Sequence, residues 1–214
     1  MAVWSDKIIY WFTRGINIPG TLYYFYNEYD LPVFLSYMTM IPGLVYFLVI
    51  SETIFHRDYI NFIKNIGQDR LVTILENKNR MILSLKKGLG GLILFQSAWT
   101  VGLILNDKTL IKIMGYQHIN ITILDTLLVA VYFQMILMIL NIYLLYFELR
   151  KEAYYSTLIF LVMNLILTLM FQQNTGIPPG TSYMLSSLLP VAYCFYQLFR
   201  KAAIIDFLIF NKTS

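Results

Sequence analysis

The chain has 214 residues, a formal net charge of +4, 58% apolar residues and 13% charged ones. A soluble domain carries about 25% charged residues, so this deficit, together with several long uncharged runs, excludes an ordinary soluble protein and points to an integral membrane protein. A single cysteine, Cys194, and two histidines, His56 and His118, exclude an internal disulfide framework and leave no expectation of a metal site or cofactor. The positive charge is accounted for by basic residues facing the cytoplasm, and no nucleic-acid partner is expected.

Residues 1–17 are amphipathic and too short to span; Trp4, Ile8, Ile9, Trp11 and Phe12 alternate with Asp6, Lys7 and Arg14. Asn17-Ile18-Pro19-Gly20 is a turn signal. Residues 21–30 hold Tyr23, Tyr24, Tyr26 and Tyr29, which read as an aromatic belt at the headgroup layer or as rings along a sugar path. Leu31–Ile50 is twenty residues without a charge, about 30 Å of helix, the thickness of a hydrocarbon core. Pro42-Gly43 interrupts it, a kink that either serves packing or lines a path, as broken helices do in transporters.

Residues 51–88 form the large polar segment. Phe55, Tyr59, Phe62, Ile63 and Ile66 recur at helical spacing, so its first half is an amphipathic helix. Gly67 interrupts it, and Leu71, Ile74 and Leu75 begin a second helix that runs into the span Leu89–Leu105. Gly88, Gly90 and Gly91 there suit close helix approach. Residues 106–120 read as a loop, 121–147 as the third span, and 148–152 as a charged turn. Ala153–Phe199 is forty-seven residues without a charge. The polar, turn-forming QQNTGIPPG at 172–180 divides it into two spans. Ala202–Phe210 reads as an amphipathic tail along the surface. The expected fold is therefore all-α: a single polytopic membrane domain over 1–214 with five full transmembrane helices plus amphipathic surface helices.

The polar segments alternate in charge. Segments 51–88, 148–152 and 200–214 carry twelve Lys/Arg; 18–30, 106–120 and 172–180 carry two, Lys108 and Lys112. The asymmetry places 51–88 and the C-terminus in the cytoplasm. No G-x-S-x-G, P-loop, H-E-x-x-H or suitably spaced carboxylate pair occurs, so no enzyme is expected. Outer-side acids Glu28, Asp30 and Asp107 do not cluster in sequence.

Trp4-Ser5-Asp6-Lys7-Ile8-Ile9-Tyr10-Trp11 resembles the W-x-D-K-x-x-x-W signature of the Pel exopolysaccharide transporter family, PelG. The likeness continues through Tyr29-Asp30, Ile41-Pro42-Gly43, Glu52-Thr53-Ile54-Phe55 with Tyr59, and Tyr146-Phe147-Glu148-Leu149-Arg150, where the family often has Tyr-Phe-Asp-x-Arg. Segment 172–180 departs from the family's Tyr-Gly-rich pattern. The resemblance implies an inner-membrane component of the multidrug/oligosaccharidyl-lipid/polysaccharide exporter superfamily. It would move an amino-sugar polymer alongside other Pel membrane components and a cytosolic glycosyltransferase. It also implies that this chain corresponds to the C-terminal half of a two-repeat transporter, residues 1–17 being the end of an earlier span.

The candidate substrate path is Trp4, Asp6, Lys7, Trp11, Glu52, Gln96, Gln134, Asn141 and Asn164. Each has a plainer reading. Trp4 and Trp11 also serve as interface anchors, and Asp6 and Lys7 as a surface pair. The four amides also serve as hydrogen bonds between helices, and Glu52 as a boundary charge. The rival to a transporter is a membrane scaffold that docks a synthase through 51–88. A transporter would line one cavity with the four amides; a scaffold would leave them dispersed.

Overall fold

The computed structural model describes residues 3–66, 71–116, 119–174 and 176–203. The described chain is almost wholly helical. A short helix α1 (Ser5–Arg14) leads through a two-residue hairpin, β1 (Ile16–Asn17) with β2 (Tyr24–Phe25), into α2 (Asn27–Met38). Then come α3 (Ile41–Tyr46), a π-helical segment (Phe47–Glu52), α4 (Thr53–Asn65), α5 (Leu71–Leu105) and α6 (Asp107–Met114). The chain closes with α7 (Ile121–Tyr146), α8 (Arg150–Phe171) and α9 (Thr181–Ala203).

Four helical stretches among the described residues are long and apolar enough to cross a membrane: Asn27–Asn65, Val72–Leu105, Ile121–Tyr146 and Arg150–Phe171. Helix α9, with 23 residues, has the length of a fifth, about 34 Å. Ser182, Ser186, Ser187 and Gln197 dilute its hydropathy. The expected count of five is thus an approximate one.

Helix α7 is the hub. Asn120 caps its start by accepting a hydrogen bond from the Thr122 amide at 3.0 Å. Leu127, Val131, Met135, Leu140 and Leu144 are then buried against α2, α5, α8 and α9. A tight turn with Glu148 at φ 56° reverses the chain into α8. The same core continues into the hairpin of α4 and α5, where Phe55, Phe62, Met81 and Leu85 are fully buried. The expected amphipathic helix at the start of 51–88 is therefore α4, with its apolar stripe packed on protein. Gly67 and the tail beyond Ala203 lie outside the described residues.

The helix that begins at Asn27 is broken at Thr39–Met40. There the amide bonds shorten to the three-residue pattern, Thr39 to Ser36 and Met40 to Tyr37, each 3.1 Å. Pro42 follows, without an amide hydrogen to continue the ladder. The Thr39 carbonyl is instead satisfied by Nε2 of Gln96 on α5 at 3.0 Å. Farther along, Gly88 and Gly91 face the π segment and α3, meeting Ser51 and Tyr46, whereas Gly90 has open space and plays no part in the approach.

Two further expectations are corrected. Segment 106–120 is not simply a loop, because residues 107–114 form α6, which ends at Gly115 with φ 76°. Its Ile111 covers Leu124 and Leu128 of α7, an apolar anchor that a two-turn helix hides from periodicity. Tyr29 is not part of a surface belt: it is fully buried.

A Cβ at Gly43 would collide with Oε1 of Gln96 and with Sδ of Met135. Gly43→Ala is expected to lower stability by about 1–3 kcal/mol through overpacking. Gly90→Ala, with nothing in reach, should be neutral or mildly stabilising. Thermal midpoints of the purified variants in detergent check the pair, and equal midpoints would remove the packing argument.

Candidate functional site

Helix α1 is amphipathic in the inverted sense. Ser5, Asp6, Lys7 and Tyr10 face inward, while Trp4, Ile8 and Phe12 are exposed. In water this arrangement would be unfavourable on both counts; against lipid the exposed apolar face costs nothing. Asp6 and Lys7 are therefore not a solvated surface pair, as the plainer reading had it.

Contacts place α1 alongside α8, in the same direction. Ser5 accepts a hydrogen bond from Nδ2 of Asn164 at 2.9 Å, and Arg14 donates to the carbonyl of Gln172. Asn164 is buried and also accepts from Thr168 at 3.3 Å; the Thr168 and Ser182 hydroxyls share a 2.9 Å hydrogen bond between α8 and α9. On the α2 side the Tyr29 hydroxyl donates to Asp6. Four helices thus converge on one buried polar cluster. Burial pushes the Asp6 carboxyl above its ordinary range, against the opposing pull of Tyr29 and Lys7. Burial likewise pushes Lys7 down, against the attraction of Asp6 and Asp30.

Above this cluster lies an open groove of about 590 Å³, lined by Trp4, Lys7, Trp11, Asp30, Phe34 and Tyr37. Its volume falls in the range of small-molecule clefts, about 300–1,000 Å³. The Lys7 ammonium lies 4.1 Å from the Trp4 ring centre and 4.8 Å from that of Tyr37, in cation–π geometry. The Trp11 indole donates to both Asp30 carboxylate oxygens at 2.9 Å, and the Trp4 and Trp11 rings lie 6.3 Å apart. Asp30 in turn accepts from the Tyr26 amide at 2.8 Å, and Tyr37 shares a 2.9 Å hydrogen bond with Tyr183. Aromatic faces beside a fixed carboxylate and an ammonium can stack on a sugar ring and hydrogen-bond its hydroxyl, amine or amide groups.

The structure brings Trp4, Asp6, Lys7, Trp11 and Asn164 together and leaves the other four elsewhere. Gln96 bonds the broken helix, with its Oε1 buried and unpartnered. Asn141 accepts from Ser156 at 2.6 Å and lies 3.8 Å from the Cys194 sulfur, joining α7, α8 and α9. Gln134, on α7, has a buried Oε1 without a partner among the described residues. Glu52 accepts from the Tyr146 hydroxyl at 2.7 Å, and Tyr59 donates to the Tyr146 carbonyl at 2.8 Å. This ties the π segment and α4 to the end of α7. The four amides do not share one cavity.

Asp30, Tyr29 and Tyr37 were missed as site residues. Their signal was present: Tyr26, Tyr29, Asp30, Val33 and Tyr37 fall on one helical face, which a belt reading of 21–30 obscured. Nothing in the sequence announced Tyr183 as the partner of Tyr37.

A family model of PelG, described as "Putative exopolysaccharide Exporter (EPS-E)", matches residues 1–210. The chain belongs to the PelG family. No curated protein and no solved structure matches it. Both tryptophans and the Asp6-Lys7 pair that carry the resemblance thus stand in a PelG chain at the groove and the cluster beneath it.

Because desolvation outweighs the favourable contacts of Asp6, ionising it works against the folded state. The penalty sets in as pH rises past the unfolded value of 3.8 and is complete above the raised folded value. Asp6→Asn is expected to match or exceed the native midpoint at pH ~8, the gap closing toward pH ~4. Thermal melts at both pH values check it; a variant less stable at the higher pH would show that the ionised carboxylate is net stabilising.

Proposed function

We propose that this PelG-family chain is a component of an inner-membrane exporter that conducts an amino-sugar polysaccharide, and that the Trp4–Lys7–Trp11–Asp30–Tyr37 groove is where the polymer touches it. The observation that carries the reading is the junction of that groove with a buried Asp6–Tyr29 and Ser5–Asn164 cluster that fixes its geometry. Tryptophan faces stack on sugar rings, Asp30 accepts from hydroxyl or protonated amine groups, and Lys7 donates to ring or acetamido oxygens. Bond-making and bond-breaking fall to a cytosolic glycosyltransferase, with other Pel membrane components beside it. The chain itself carries no catalytic role.

In this reading residues 51–88 and the C-terminus face the cytoplasm, which the basic asymmetry supports. The Gln172 end of α8, and with it the groove, lies toward the outer side. A partner half completes the conduit, as in two-repeat transporters. A second reading, a scaffold that docks the synthase, draws support from the placement of Gln96, Gln134 and Asn141 away from the groove, Gln96 and Asn141 in bonds between helices.

One experiment separates the two. Matrix polysaccharide is measured beside membrane protein level for Trp4→Ala, Lys7→Gln and, as a control, Tyr154→Ala, an exposed ring at the other end of α8. Export is expected to fall at least about fivefold in the first two, the effect of losing a contact of about 1 kcal/mol, with the control unchanged. Normal export from the groove variants, with loss on removing the exposed α4 side chains Arg57 and Asn61, favours the scaffold. Orientation is checked in a Cys194→Ala background. Cysteine at Asn174 should react with an impermeant thiol reagent in intact cells, and cysteine at Asn61 should not; the reverse pattern inverts the topology.

A further inference from the structure

A second groove lies far from the first, between the broken helix and α5. One wall is Tyr46, Ile50, Ile54 and Arg57; the other is Arg80, Leu83, Ser84 and Lys87. Each set recurs at three- and four-residue steps, so each is one helix face. The groove holds about 490 Å³. Its floor is sealed where Ser51 donates to the Gly88 carbonyl at 3.1 Å, and a Cβ at Gly88 would stand only 3.1 Å from the Ser51 side chain.

Its two ends differ in chemistry. At one end stand Arg57, Arg80 and a carboxylate, Asp58, which lies 3.5 Å from Arg57 Nε; Lys87 stands on the same α5 face about two turns from Arg80. Arg80 and Lys87 form no ion pair among the described residues, and all three cations are exposed. The wall below is apolar and open sideways: Ile50 and Leu83 are about half exposed, and the adjoining Leu48 and Val49 more so. From Tyr46 to Arg57 the helix rises about 16 Å, close to half of a hydrocarbon core about 30 Å thick. A cationic mouth over an apolar wall one leaflet deep matches an amphiphile with an anionic head. A soluble anion would leave the wall without a role.

We propose that this groove binds a two-chain anionic phospholipid, its phosphate held by Arg57 and Arg80 with the long Lys87 side chain reaching toward it from farther along α5, and its acyl chains lying along Tyr46, Ile50 and Leu83. Basic pockets between transmembrane helices take anionic head groups by the same electrostatics. The lipid would cover the open side of this groove, where Ile50 and Leu83 are exposed.

The test uses the full chain, purified and delipidated in a neutral detergent, with bound lipid counted by native mass spectrometry. Phosphatidylglycerol is expected to be retained at least about tenfold over phosphatidylcholine. Arg80→Gln with Lys87→Gln should cut that retention at least about tenfold. Lys64→Gln with Lys86→Gln, the same charge change outside the groove, should leave it within about twofold. Ser84→Glu, which adds a negative charge to the groove wall, should lower it as well and serves if the double variant does not fold. Equal loss in the groove and control variants, or no loss in either groove variant, overturns the site. Displacement of the lipid by millimolar inorganic phosphate overturns the lipid in favour of a soluble phosphate ligand.

Discussion

The hydrogen bond from Tyr29 to the buried Asp6 is the interaction on which the arrangement of the first helix depends. An acid withdrawn from water must be neutralised or surrounded by donors. Here it is met by a hydroxyl from α2 and approached by Lys7, and its neighbour Ser5 is held by Asn164 of α8. Tyr29 and Asn164 sit on two other helices, α2 and α8, so a ten-residue helix that could not persist alone is held at one depth and one rotation. The same fixing sets Trp4 and Lys7 at the groove wall and aims Trp11 at Asp30.

Around that point the molecule obeys the rule of a solvent that offers no hydrogen bonds. Hydroxyls on α8 and α9 meet through Thr168 and Ser182, and Ser156 donates a hydrogen bond to Asn141. The break before Pro42 leaves a carbonyl that a neighbouring glutamine fills. Polar residues in these helices therefore do two kinds of work. Those on α1, α2 and α8 gather at a groove; those on α5 and the middle of α7 join helix to helix.

Much of this was legible in the sequence. Uncharged runs of helical length gave the all-α membrane class and the long helices, because length and apolarity alone decide whether a segment can span. The turn residues at 172–180 separated α8 from α9, and the Phe55–Phe62 stripe gave α4. What stayed hidden depends on three-dimensional neighbours. Asp6 and Lys7 look like surface charges on a linear reading, since nothing local says which face of a short amphipathic helix turns inward. Helix α6 is only two turns long, too short for its amphipathic pattern to stand out in the sequence, yet Ile111 anchors it. The roles of Gln96 and Asn141 became readable only once the broken helix and Ser156 were beside them.

The joint at Thr39–Met40 has a mechanical consequence. The segment before it carries Asp30 and Tyr37; the segment after it carries Ile50, Ile54 and Arg57. A continuous helix would transmit a tilt rigidly from one groove to the other. Here the backbone ladder is thinned to three-residue bonds at Thr39 and Met40, and one amide-to-carbonyl bond at 3.0 Å ties the joint to α5, worth a net of about 1 kcal/mol. A tilt of one segment is therefore passed to the other through fewer backbone bonds than in a continuous helix, and the side chain that braces the joint belongs to a third helix, α5.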